Sequence, residues 1–234
     1  MDTHRLVDAF ELESRLLDAT LRQHPRLRPF FSRNFRDVDT SAMTRAYLQL
    51  LKLKADYVQY TVPALRAAGQ ALRDGDDEDR HWSMLFLGYA TGETDEVANY
   101  GHHIWAHDDM KALGASPDLW NAPPHANAVL YGKFFVADAG QHPYAILGAK
   151  GVLEHFSVRT SDDLVRGLIE SGIPNAENAT NFLRQHGILD IDHVREGDRN
   201  LENLGDAQKR LQILEGAYFT SGTYRSLVHD LLPA

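Results

Sequence analysis

The sequence predicts an all-α protein folded as one domain, and three observations carry that reading. Apolar residues recur at helical spacing along almost the whole chain. Alternating apolar and polar runs of useful strand length are absent. No linker separates two regimes of composition, and 234 residues at 43% hydrophobic content suit one sizeable core. Repeats and low-complexity tracts are missing too, so solenoid and array architectures drop out. A single helical bundle over residues 1–234 is expected.

Taken in order, Leu6, Val7, Phe10, Leu12, Leu16 and Leu17 form the first stripe, which Pro25 and Pro29 break. Asp39, Thr40 and Ser41 offer a cap for a long helix running to about Leu72, kinked at Pro63. A polar turn at residues 73–77 leads to a helical stretch over about 79–110. Residues 114–124 hold three prolines and form the clearest loop. Helical pattern resumes at 126–136 and, after a turn at 140–143, from Tyr144 to Val158. Two shorter helical segments are expected either side of residues 171–174, then helices over about 176–204 and 206–232.

Composition excludes several classes of function. The 24 Lys+Arg against 33 Asp+Glu give a net charge of −9, which opposes binding to nucleic acid. With no cysteine, disulfide scaffolds, thiolate metal sites and cysteine nucleophiles are excluded. The mean hydropathy is −0.39, and no apolar run approaches the roughly 20 residues of a membrane span. Acidic residues stand near the N-terminus where a signal peptide needs basic ones, so a soluble cytoplasmic protein is expected.

Twelve histidines focus attention on metal chemistry. His186, Asp190 and His193 fall at i, i+4 and i+7, within about 60° of one another on one helix face. Imidazole and carboxylate together suit iron or manganese, although a solvated polar face with Asp192, Arg195 and Glu196 explains the spacing equally well. Glu96 and His103 stand two turns apart, with Glu93 as a rival for the first and His102 and His107 for the second. An ordinary amphipathic helix is the plain alternative there. Glu154 projects from an apolar run, a costly place for a carboxylate unless it is paired, metal-bound or at the edge of the stripe. Together these make two glutamates, one aspartate and three histidines, the composition of a carboxylate-bridged dimetal site. A ferritin-like version would need paired Glu-x-x-His motifs, and the chain has one, Glu78 to His81, in a charged stretch.

Glu96, His103, Glu154 and His186-x-x-x-Asp190-x-x-His193, with 32 residues from Glu154 to His186, resemble the ligand pattern of the haem-oxygenase-like dimetal oxidases, most of all the CADD-type members. The resemblance spans nearly the whole chain. It implies a seven-helix haem-oxygenase-like fold without haem, and two irons (iron and manganese in some relatives) that activate dioxygen to oxidise a small molecule of amino-acid, amine or fatty-acid type. The six residues just named would be the metal ligands, and Asp192, Asp108 and Asp109 are near enough in sequence to orient their histidines. CADD-type members consume their own side chains, including a lysine just beyond the second glutamate. No lysine occurs here between Lys150 and Lys209, so an external substrate fits better, with an external electron donor as a further partner. The substrate pocket is expected between the ligand helices and the long second helix, where Tyr47, Tyr57 and Tyr60 either line it or pack the core.

Three other readings compete. A haem-degrading enzyme would need His4 or His24 as proximal ligand and leaves the six residues unexplained, while a thiaminase-like enzyme would need a cysteine. A helical interaction module would show a large exposed apolar patch and no dependence on the ligand residues. A homodimer is the expected assembly on general grounds.

Overall fold

In a computed structural model that describes residues 4–95, 101–202 and 204–231, the apolar stripes fold as helices. They are α1 (His4–Gln23), α2 (Thr40–Val58), α3 (Thr61–Leu72), α4 (Asp77–Asp95), α5 (His103–Ala112), the single turn α6 (Pro117–Trp120), α7 (Ala126–Gly132), α8 (Ala145–Glu170), α9 (Asn181–Leu201) and α10 (Ala207–Leu231). No strand forms among the described residues. None of their helices is long and apolar enough to cross a membrane.

Nine of these helices reach seven residues or more, where the resemblance implied seven, and two interruptions account for the difference. The expected long second helix stops at Val58 instead of bending at Pro63. Proline clashes with the carbonyl four residues back, so the chain breaks just before it and Pro63 falls in the first turn of α3, where its missing N–H costs nothing. The stretch expected over 79–110 likewise divides, because Gly101 and His102 are not helical and α5 begins at His103. Counting each divided pair as one helix returns seven.

The cap expected at the start of α2 is present: the Asp39 carboxylate accepts the Ala42 N–H at 2.9 Å. Conversely, α8 runs unbroken through the expected boundary at Val158 for 26 residues to Glu170, and Gly172, with a φ of 75°, turns the chain just beyond its C-cap Ser171. A single 3₁₀ turn at Ala176–Ala179 precedes α9.

Helix α8 is the axis of the bundle, packed against α1, α9 and α10. The crossing with α10 is close because glycines meet backbone: a Cβ on Gly148 would lie 1.9 Å from the Ile213 carbonyl oxygen, and one on Gly216 would lie 1.9 Å from that of Ala145. This crossing brings the middle of α8, with Lys150 and Glu154, into the interior beside α9. Asp109 of α5 ties the start of α9 in place by accepting the N–H groups of Asn181 at 3.0 Å and Phe182 at 2.9 Å.

Candidate metal centre

The face predicted on α9 is real and points inward at its middle: Asp190 is buried, and His186 and His193 are partly buried on either side. Opposite stands Glu154 of α8, 9% exposed, so the two strongest sequence candidates meet across the α8–α9 contact. Donor atoms of Glu154, Asp190 and His193 all lie within 4.8 Å of one another, a spacing that one metal ion can span. His193 Nδ1 is 3.5 Å from Asp190 Oδ1 and 3.8 Å from Glu154 Oε1. The Asp190 carboxylate accordingly holds the His193 ring above its ordinary pKa, against the effect of burial. Burial pushes the Glu154 carboxyl up to about 7, although Lys150 opposes the shift.

A second group adjoins the first. His186 Nε2 is 3.2 Å from His102 Nδ1, which is itself 3.3 Å from Glu93 Oε2. His186 Nδ1 donates to the Phe182 carbonyl at 2.8 Å, so its Nε2 keeps a lone pair aimed into the site. That carbonyl fills the orienting role expected of an aspartate. Asp192 pairs with Arg195, Asp108 pairs with Lys111, and Asp109 holds the start of α9. The His102 ring stacks on Trp105 and His186 on Phe182, and these contacts lock both imidazoles. Lys150 joins the two groups, 2.7 Å from Glu154 Oε1 and 3.3 Å from Glu93 Oε1. Burial alone would raise the Glu93 carboxyl, but Lys150 and His102 overcome it and hold the pKa below the usual value.

The first half of the predicted set is less simple. Glu96 lies outside the described residues. His103 has its Nδ1 buried without a hydrogen bond, and its ring lies 5.5 Å from that of His107. It is the neighbouring His102 that reaches His186 and Glu93. The two-turn argument for Glu96 and His103 required a continuous helix, and the break at Gly101–His102 removes that periodicity. Glu93 and His102 had been visible only as rivals, and Lys150 went unread although it stands one helical turn before Glu154. Glu78 binds Lys209 at 2.9 Å in a separate cluster.

A cavity of about 60 Å³ opens beside these groups, between α2 and the helices that carry them. Tyr57 lines it, whereas Tyr47 is core and donates its hydroxyl to the Ala179 carbonyl at 2.9 Å. Tyr60 packs over Gly132. Buried carboxylates beside imidazoles form the donor set that iron and manganese prefer, and Lys150 shows that the space between Glu93 and Glu154 accepts a positive charge. The residues present therefore fit a metal.

Burial makes one consequence measurable. His186 is driven down from 6.5 to about 4, chiefly by desolvation, so the unfolded chain takes up its proton first as pH falls. Its contribution to stability is complete above about pH 6.5 and is lost toward pH 4, roughly 3 kcal/mol over that window. Denaturant unfolding of metal-free protein between about pH 7 and 4.5 should show this loss, with a shallower slope for His186→Gln. Identical slopes would remove His186 as the cause.

Residues 44–221 match the model of a family described as iron-containing redox enzyme. In three dimensions the chain is similar to a domain of unknown function with a haem-oxygenase-like fold from Shewanella denitrificans OS217. The TM-score is 0.77 at 14% identity, covering 99% of this chain and 92% of that one, a likeness that shows the fold alone. No curated protein matches in sequence. With the family model matching most of its length and a metal-competent cluster in its interior, the chain belongs to the iron-containing redox enzymes and has the haem-oxygenase-like fold.

Proposed function

We propose that this protein is a non-haem dimetal oxidase or oxygenase that uses dioxygen to oxidise a small molecule of amino-acid, amine or fatty-acid type. The observation that carries the reading is the meeting of Glu154, Asp190 and His193 with His186, His102 and Glu93 beside a largely apolar cavity. Two irons, or iron with manganese, are the cofactor, and they supply the activation of dioxygen. Glu154, which lies between the groups, would be shared by the two metals. Asp190 and His193 would complete one position, while His186, His102 and Glu93 would serve the other; Glu96 and His103 remain candidates from their motif.

The protein's own part is to orient and to exclude water. The Phe182 carbonyl keeps His186 in the tautomer with Nε2 free, and Trp105 and Phe182 hold the two rings at fixed tilt. Lys150 neutralises the carboxylates when they face each other without metal, which keeps the site assembled in the interior. The apolar cavity wall displaces solvent from the reacting centre. Electrons beyond those of the substrate come from an external donor.

Metal content after anaerobic Fe(II) loading and gel filtration tests the proposal. About two irons per chain are expected, with rapid oxygen consumption once air is admitted. Protein that retains no iron, with and without candidate amino acids and fatty acids present, would overturn it.

A further inference from the structure

Burying a lysine ammonium is costly, and this fold meets the cost in a different way at each site. Lys52 forms an ion pair with Asp56, Lys150 with Glu93 and Glu154, and Lys209 with Glu78 and Asp79. Lys54 is 5% exposed, yet among the described residues its Nζ has neither a hydrogen bond nor an ion-pair partner. The ammonium faces rings instead, 5.4 Å from the centres of Phe156 and Phe182 and 6.0 Å from that of Tyr224. Those distances are at the outer limit of cation–π attraction, so they replace only part of the lost hydration. Asp190 acts on Lys54 through space without reaching contact distance, and burial draws the amine down to about 8. A cation left in this condition by the fold is short of an anion.

The position says which anion. Lys54 lines the cavity that Glu93, His102, Glu154, His186 and Asp190 also line. A molecule held on Lys54 therefore presents its remaining atoms to the candidate metal ligands. Lys150 lines the same cavity but is held by Glu93 and Glu154, so Lys54 is the ammonium left to offer; Glu93, Glu154 and Asp190 in the same lining repel a second negative charge, which disfavours phosphate esters and dicarboxylates. Val58, Leu153 and Leu183 supply apolar wall. The volume of about 60 Å³ has room for roughly four water molecules, which suits a short molecule.

We infer that Lys54 is the anchor for a carboxylate, and that the molecule oxidised at this centre is a short monocarboxylate with an apolar body. Capture by Lys54 stands apart from the oxidase proposal, while the fate of the captured molecule rests on it.

Calorimetric titration of metal-free and anaerobically Fe(II)-loaded protein with butyrate and benzoate, against butyramide, benzamide and inorganic phosphate, tests the anchor. Each carboxylate should bind at least about ten-fold more tightly than its amide, a preference that Lys54→Met removes and Lys54→Arg keeps. Amide affinity and iron content should not change in either variant. The ligand-free Lys54→Met protein should melt about 2–4 °C higher, because an uncompensated buried charge has been removed. If that variant fails to fold, Lys54→Gln is read in its place. A preference that survives loss of the ammonium, no preference in the wild type, or tighter binding of phosphate than of either carboxylate would overturn the anchor. Carboxylate preference that depends on Lys54 in a protein that never retains iron would keep the anchor and sink the oxidase. Retained iron with no role for Lys54 would do the reverse.

Discussion

Glu154→Ala is expected to leave protein that has been loaded anaerobically with Fe(II) and gel-filtered with almost no bound iron, against about two per chain in the wild type. The reason is position. Glu154 stands between the halves of the cluster, with His193 at 3.8 Å on one side and Lys150, which also reaches Glu93, on the other. Asp190→Ala and His102→Ala each remove a group from one half, so each should keep about one iron. His186→Ala is the more severe of the histidine changes, because Nε2 of that ring is already freed toward the site by the Phe182 carbonyl. Loss of Glu154 also leaves the buried Lys150 with Glu93 as its one ion-pair partner among the described residues, so the fold must be checked by circular dichroism. The double variant Glu154→Ala/Lys150→Met removes the strained cation and should restore stability without restoring iron. Full iron retention in folded Glu154→Ala would end the ligand assignment.

The second large effect concerns the scaffold. Gly148→Ala and Gly216→Ala each place a methyl group 1.9 Å from a carbonyl oxygen of the facing helix, where about 3.5 Å is needed. Both partners are backbone, so no side chain can turn aside, and α8 must move off α10. A loss of about 4 kcal/mol or more is expected, which lowers the melting temperature of a chain this long by about 10 °C. Gly222→Ala on the same helix α10 is the control, since nothing lies within 4 Å of its Cβ; it should be neutral or slightly stabilising. Melting curves read by circular dichroism decide the matter, and unchanged melting of Gly148→Ala would show that the crossing is looser than the structure describes. Because Gly148 lies on the same helix as Lys150 and Glu154, its variant should also lose iron.

The all-α class, the single domain and the shared face of His186, Asp190 and His193 follow from periodicity, since i, i+4 and i+7 define one side of a helix wherever that helix is placed; that this face turns inward is set by the packing of α9 on α8. Glu154 was legible for a related reason: a carboxylate within an apolar stripe needs a partner, and Lys150 and His193 stand beside it. Periodicity fails where the helix stops. Across Gly101 and His102 no angular offset can be computed from residue number, and the approach of His102 and Glu93 to His186 depends on how the chain turns there. Pro63 announced a disturbance, but its exact form, two helices with a break at Gln59 and Tyr60, was set by how α2 and α3 pack separately.

Lysines mark the same boundary most sharply. In the sequence Lys52, Lys54 and Lys150 are three polar interruptions of apolar runs. Lys52 meets Asp56 one turn along its own helix, a pair that spacing alone allows, whereas only the packing of α2 against its neighbours sets Lys54 among the rings of Phe156, Phe182 and Tyr224. Those rings come from α8, α9 and α10, far away along the chain. Local spacing shows which side of one helix a residue occupies, while the charges and rings that surround it are delivered by other helices, and that delivery is a property of the tertiary fold.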